Sequence, residues 1–326
     1  MTAEETRSIL TIALMAAFAD GLKDEGERAA VKRIAEALGP EAGFDLPGLY
    51  REVLLAKPDL AQVTASLQSQ EARQLAYEMA VGVCDADGVQ GPAEKAFLGR
   101  LAELLALPSA AAGATSARAD ELAEAAFAPA AATAGVGASV AASTVSGTVM
   151  GKSNLSEVEM DKLILNAAVT NAALELLPET IASMAIIPLQ IRLVYRIGQA
   201  HGYAMDRTHA KDFLATLGVG LTSQYLEQFG RKLLGGMLGG LGGGLGRTVG
   251  RQAASSGLTF ATTYALGRVA QRYYAAGRTM DTATLKQTFA GLLGEARSLA
   301  PRYREQIEQK ASTIDTRSLA ALVRQS

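Results

Sequence analysis

The sequence is poor in the residue types on which most metal and redox chemistry depends. It has one cysteine and two histidines among 326 residues, no tryptophan, and only 5% aromatic residues. The single cysteine, Cys84, excludes a disulfide within the chain and is compatible with a reducing cytoplasm. His201 and His209 have no third histidine or second cysteine to complete a zinc-binding set, so we expect no zinc site.

Catalytic patterns are equally scarce. Cys84 has no histidine near it in the sequence, and Ser255 and Ser256 lie outside any Gly-x-Ser-x-Gly pattern. The glycine-rich run "GGMLGGLGGGLG" at residues 235–246 lacks the Gly-Lys-Ser/Thr ending of a phosphate-binding loop. We therefore predict that the protein is not an enzyme.

Long hydrophobic runs are also missing. The apolar segments at residues 180–191, 233–246 and 252–267 are each shorter than the ~20 residues that a transmembrane helix needs. Such segments fit either buried core helices or a shallow membrane hairpin. The N-terminus has no basic stretch before its first apolar run, so we expect no secretory signal.

Alanine and leucine, by contrast, are abundant, and apolar residues recur at helical spacing, as in Ile9, Ile12, Ala13 and Ala16. No stretch alternates polar and apolar residues long enough to indicate a sheet, so we predict an all-α fold. Composition divides the chain into an N-terminal helical bundle (1–107), an Ala/Ser/Gly-rich linker (108–150), a C-terminal helical domain with glycine-rich apolar helices (151–292) and a charged helical tail (293–326). Within the linker, a short helix is compatible with residues 117–127.

Charge is distributed unevenly along the chain. Residues 1–108 contain 10 Lys and Arg against 17 Asp and Glu, whereas residues 151–326 contain 20 against 13. An acidic half followed by a basic half predicts either two parts with different partners or two parts that attract each other.

The acidic half contains an internal repeat. Residues 13–38 align with residues 80–105, and the alignment places Ala-Asp-Gly at 19–21 over Ala-Asp-Gly at 86–88. Each copy has a glutamate seven residues after its aspartate, at Glu27 and Glu94. The pattern predicts two helix–loop–helix units in a compact bundle.

Two interpretations of the repeated loop remain open. Helix capping accounts for its glycines, for Pro92 at the first helical position, and for Glu94 at the third. Capping leaves unexplained the acids at the end of the preceding helix, where the helix dipole is negative: Asp20, Asp85 and Asp87. The second interpretation is a site for a cation with oxygen ligands, namely Ca²⁺, Mg²⁺ or Mn²⁺. The spacing does not match an EF-hand.

The segments "AFADGLKDEGERAAVKRIAEALG" and "AVGVCDADGVQGPAEKAFLGRLAELLAL" resemble the TerB-like domain of tellurite-resistance proteins. The resemblance implies a helical bundle with acidic clusters that bind divalent metal. Residue by residue, it points to five candidate ligands: Asp20, Glu27, Asp85, Asp87 and Glu94.

Residues from about 155 to 292 resemble the GTPase-associated domain of unknown function in YcjF-type inner-membrane proteins. The resemblance is carried by "IIPLQIRLVYRIGQAHGYAMDRTHAKDFLATLGVG", "GGLGGGLGRTVGR" and "TYALGRVAQRYYAAG". Together the two resemblances imply a non-enzymatic cation-binding or sensing module. A membrane-associated helical domain would tether it at the cytoplasmic face of the inner membrane, in metal, oxyanion or envelope stress response. The alternative is a soluble adaptor that binds a GTPase and has no metal or membrane role.

Two further patterns bear on partners. Glycines recur every four residues, at Gly235, Gly239 and Gly243 and again at Gly236, Gly240 and Gly244. They predict either a close helix–helix, oligomer or membrane interface or a flexible loop. Arginines flank the apolar segments at positions 247, 251, 268, 272 and 278, which indicates either a solvated face or contact with phospholipid headgroups. Tyr264, Tyr273 and Tyr274 could stack on bases, but no nucleic-acid-binding module matches, so we expect no nucleic acid partner.

Overall fold

The computed structural model describes residues 2–19, 21, 45–85, 90–127, 151–177, 180–217 and 245–326. Within these ranges the chain is helical and contains no strand, which confirms the all-α prediction. The helices are α1 (Ala3–Ala17), α2 (Leu46–Ala56), α3 (Leu60–Ala65), α4 (Gln70–Cys84), α5 (Pro92–Leu104), α6 (Ser109–Ala125), α7 (Glu157–Glu175), α8 (Thr180–Met184), α9 (Ile186–Ala200), α10 (Arg207–Thr216), α11 (Leu245–Ala275), α12 (Thr282–Leu299), α13 (Arg304–Thr313) and α14 (Leu319–Gln325).

Several helices begin where local sequence predicts it. At the start of α1, Thr2 and Glu5 form a capping box, in which the Glu5 N–H donates to Thr2 Oγ1 and the Thr2 N–H donates to Glu5 Oε2. Ser156 and Glu159 do the same for α7. Such caps satisfy backbone N–H groups that have no partner inside the helix, so they fix where each helix starts.

The N-terminal helices pack around α1. Helix α4 lies along α1, and α2 and α3 also contact it. Small buried residues face this packing on both main helices, with Ala13 and Ala16 on α1 and Ala76 and Ala80 on α4. Helices α4 and α5 occupy the positions predicted for the two helices of the second unit, and the internal repeat stays a prediction. The loop and second helix predicted for the first unit fall on residues 22–44, which lie outside the described ranges.

Helix α11 is the centre of the C-terminal part. This 31-residue helix packs against α7, α9 and α12. Several small residues are fully or nearly buried in these two helices, namely Ala261, Ala265 and Gly267 on α11 and Ala168 and Ala172 on α7. Small side chains let the helices approach closely, so the packing here depends on close complementarity between the helix surfaces.

The structure extends the helix expected inside the linker. Helix α6 begins at Ser109, well before the short helix predicted at residues 117–127. It packs against α4 of the N-terminal part and against α8, α9 and α14 of the C-terminal part. Buried residues from both parts, including Leu122 of α6, belong to one contiguous hydrophobic cluster. Residues 128–150 lie outside the described ranges, and the domain boundaries stay a prediction.

The first and third apolar segments contribute residues to the core. Residues 182–194, which include most of the first segment, are buried throughout. The third segment forms the middle of α11, where Phe260, Ala265 and Leu266 are buried. Residues 233–244 of the second segment, with all six glycines of the four-residue rows, lie outside the described ranges. In the part of the chain that is described, no helix is both long enough and apolar enough to cross a membrane.

Candidate functional site

The acidic joint between α4 and α5 contains one buried carboxylate. Asp85 is the residue that ends α4, and its N–H donates to the Val81 carbonyl oxygen at 2.8 Å. Only 5% of Asp85 is exposed. The sequence placed this residue at the carbonyl end of a helix, and the structure confirms that position and adds its burial.

Glu94 caps the next helix. Its Oε2 accepts a hydrogen bond from the Gly91 N–H at 2.6 Å, and Pro92 occupies the first helical position. The capping part of the sequence interpretation is therefore confirmed for Gly91, Pro92 and Glu94. Gly21, just beyond α1, has a φ of +89°, the left-handed conformation expected for a glycine after a helix.

The other three candidate ligands, Asp20, Glu27 and Asp87, lie outside the described residues. Within the described ranges, no three side chains of His, Cys, Asp or Glu come together as a metal-binding set. The structure thus positions Asp85 and Glu94 individually, and the five-residue site stays a prediction.

The histidines have structural roles. His201 is buried, and its Nδ1 lies 2.8 Å from the Ile197 carbonyl oxygen in the last turn of α9. Gly202, with a φ of +81°, follows it just after the end of the helix. The His209 N–H donates to Asp206 Oδ1 at 2.8 Å, so Asp206 caps the start of α10.

Some of the arginines and tyrosines considered for contact with phospholipid headgroups or bases make contacts inside the fold. Arg268 pairs with Asp161 and lies over the Tyr264 ring at 5.1 Å from its centroid. Arg278 lies 5.8 Å from the centroid of Tyr203. Tyr274 is 2% exposed, and burial raises its pKa above the ordinary value for tyrosine. These groups contribute to packing within the fold.

Arg192 joins three helices in the interior. It lies on α9 with 1% exposure, and its guanidinium donates to the Arg324 carbonyl of α14 at 3.0 Å and to the Ala126 carbonyl after α6 at 3.4 Å. Carbonyls at helix C-termini have no partner inside the helix and carry the negative end of the dipole, so a guanidinium suits them. Burial, and then the charge of Arg196, lower the pKa of Arg192.

A cleft of about 580 Å³ opens one helical turn further along α9. Arg196 reaches it from α9, Glu159 and Thr170 from α7, and Lys310 from α13, while Leu322 of α14 forms part of its apolar wall. Arg196 is half-buried, and burial lowers its pKa. Among the described residues, no carboxylate lies within ion-pair distance of Arg196.

Sequence reasoning missed this cleft. A signal was present in "IIPLQIRLVYRIG", because two arginines four residues apart interrupt an otherwise apolar helix. Helical spacing places Arg192 and Arg196 on one face, and charges in such a setting require nearby acceptors or water. Their partners come from residues far along the chain, which the sequence pattern does not reveal.

Neither a known protein family, nor a curated protein, nor a solved structure matches this chain.

Proposed function

We propose that this chain is a non-enzymatic helical protein whose N-terminal part binds a divalent cation, Ca²⁺, Mg²⁺ or Mn²⁺, at the joint between α4 and α5. The observation that carries the proposal is the burial of the Asp85 carboxylate at the carbonyl end of α4. The sequence places two further carboxylates, Asp87 and Glu94, at the same joint.

Physical chemistry gives a cation two reasons to bind there. Burial disfavours the charged form of a carboxylate, and the negative end of a helix dipole disfavours it further. A bound cation would offset both effects. The capping role of Glu94 is compatible with this function, because a carboxylate has two oxygens and accepts more than one contact.

Cation binding would couple the end of α4 to the start of α5. Any ligand that binds only the folded state stabilises it, so the cation would raise the unfolding temperature of the helical bundle. That behaviour suits a sensing module, and the TerB-like resemblance suggests metal or oxyanion stress as its setting.

The test is isothermal titration calorimetry of the full chain with Ca²⁺, Mg²⁺ and Mn²⁺ in turn. We expect at least one cation to bind and to raise the melting temperature measured by circular dichroism. Asp85→Asn and Asp87→Asn should each lower the affinity by about tenfold or more, because each removes a charged ligand.

A matched control is Glu103→Gln, which removes an exposed carboxylate from α5 away from the joint. It should leave the affinity unchanged. The absence of a heat signal for all three cations would overturn the proposal, as would an equal loss of binding in the control.

The expectation of a membrane-associated domain near a GTPase rests on the resemblance of residues 155–292 and stays a prediction. Cell fractionation separates it from the soluble-adaptor alternative. Full-length protein that needs detergent for release favours membrane association, and protein recovered in the supernatant without detergent favours the adaptor.

A further inference from the structure

The cleft between α7, α9, α13 and α14 has the size of a small-molecule site. Its volume of about 580 Å³ lies inside the ~300–1,000 Å³ range of ligand pockets. Four helices form it, and two of them, α13 and α14, come from the C-terminal tail, which folds back onto α7 and α6. The cleft therefore exists only in the assembled fold.

The charges around the cleft favour an anion. Two basic side chains, Arg196 and Lys310, line it, against one acidic side chain, Glu159. Glu159 already accepts from the Ser156 N–H at 2.9 Å and from Ser156 Oγ at 2.6 Å, and these bonds lower its pKa. Arg192 lies one helical turn before Arg196 and donates to backbone carbonyls, so its positive charge adds to the potential near the cleft.

One part of the remaining lining fits a hydrocarbon body beside the charge. The apolar surface comes from Leu155, Leu163, Ala167, Val169 and Leu322, and polar groups come from Asn166, Thr170, Gln325 and Ser326. Pockets that bind small molecules usually combine such an apolar wall with a few polar groups that orient the ligand.

We propose that this cleft binds a small amphipathic carboxylate, with the anionic group on Arg196 and Lys310 and the hydrocarbon chain along Leu163 and Leu322. The planar guanidinium of Arg196 matches a carboxylate with two parallel hydrogen bonds. Desolvation strengthens this pairing, because Arg196 is half-buried and no carboxylate among the described residues pairs with it. The site is separate from the acidic joint and does not depend on cation binding there.

Isothermal titration calorimetry of the full chain with octanoate tests the proposal. Octylammonium and 1-octanol serve as probes with the same chain and a different charge, and inorganic phosphate serves as an anion without the chain. We expect octanoate to bind more tightly than all three. Equal binding of octylammonium or 1-octanol would overturn the role of the arginine, and tighter binding of phosphate would overturn the role of the apolar wall. Failure of octanoate to bind would overturn the proposal as a whole.

Substitutions of cleft residues test whether octanoate binds in the cleft. Arg196→Gln should weaken octanoate binding by about tenfold or more, because a charged hydrogen-bonded group is lost. Lys310→Gln should weaken octanoate binding by a smaller factor. This second variant still tests the proposal if Arg196→Gln does not fold. Lys286→Gln, which removes an exposed charge from α12, is the matched control and should change nothing. A loss of affinity in the control equal to that in Lys310→Gln would contradict the proposal.

Glu159→Gln gives a prediction of opposite sign. Glutamine can still accept the Ser156 hydrogen bonds, so the helix cap is retained while the negative charge beside the cleft is removed. Octanoate binding should therefore become stronger. An unchanged or weaker affinity in a folded Glu159→Gln protein would contradict an anion site at this position.

Discussion

Single carboxylates set the local geometry of this chain in different ways. Glu5 contacts two helix starts: one oxygen accepts from the Thr2 N–H at 2.8 Å, and the other accepts from the Ser69 N–H at 3.2 Å, at the start of α4. Glu5 is 5% exposed, so one buried side chain caps α1 and fastens it to the beginning of α4. Asp85 lies at the opposite end of α4, where a carboxylate is not favoured by the helix and serves as the proposed cation ligand.

Replacing Glu5 by alanine should destabilise the fold by about 1–2 kcal/mol at neutral pH, because two backbone N–H groups lose their acceptor. The hydrogen bond from the Thr2 N–H is the main reason that the pKa of Glu5 is lowered from 4.5. A lowered folded-state pKa means that this stabilisation is present above about pH 4.5 and is lost as the pH falls through the folded-state pKa. Urea unfolding of both proteins across this pH range measures the difference.

Glu4→Ala is the matched control, since Glu4 is also in the first turn of α1 and is exposed. It should cost much less at neutral pH. If Glu4→Ala and Glu5→Ala had the same effect at every pH, the buried hydrogen bonds of Glu5 would not be the cause.

Helices in the C-terminal part pack through small residues. At Gly267 on α11, an added methyl group would lie 2.8 Å from a side-chain carbon of Ile164 on α7 and 3.1 Å from one of Leu193 on α9. Three helices therefore meet at a point where only hydrogen fits. The same glycine would otherwise weaken a helix interior, so its presence here has a packing reason.

Gly267→Ala should destabilise the protein by about 1–3 kcal/mol, because the methyl group overpacks the contact between α7, α9 and α11. Gly291→Ala on α12 is the matched control, since an added methyl group there meets nothing within 4 Å. That substitution should stabilise the protein by about 0.5–1 kcal/mol through the higher helix propensity of alanine. Thermal unfolding of both variants tests the pair, and a stabilising Gly267→Ala would refute close packing at this point.

Helix α6 connects the two parts of the molecule. Its side chains Ala119, Leu122 and Ala125 are buried, and Arg118 and Glu121 bind the C-terminal tail through the Thr316 carbonyl and the Arg324 side chain. The tail also contacts α9, since the Arg324 carbonyl oxygen accepts a hydrogen bond from the Arg192 side chain. A segment with the composition of a linker thus contributes to the shared core.

Leu122→Ala should lower the free energy of unfolding by about 2–5 kcal/mol, because it removes a side chain that is 3% exposed from the shared core. Leu55→Ala is the same substitution at a position that is 78% exposed, and it should change stability by about 0.5 kcal/mol or less. Denaturant unfolding measures both. Equal effects of the two substitutions would mean that α6 does not dock in solution and behaves as the linker that its composition suggests.

The sequence by itself determined the features that depend on neighbouring residues. Gly91, Pro92 and Glu94 begin α5, because a cap needs only groups a few residues apart. The all-α class followed for the same reason, from helical spacing and composition. The acidic joint was recognisable because its residues are close in sequence.

Tertiary structure alone decided the burial of Asp85, the docking of α6 and the cleft around Arg196. Arg192 and the Arg324 carbonyl that it binds are 132 residues apart, and Arg196 and Lys310 line one cleft from different helices. Contacts of this kind are set by how helices pack, and helical periodicity shows which face is apolar without showing which helix covers it. A composition rich in alanine is compatible with both a linker and a core helix, so only the packing partners of α6 distinguish them.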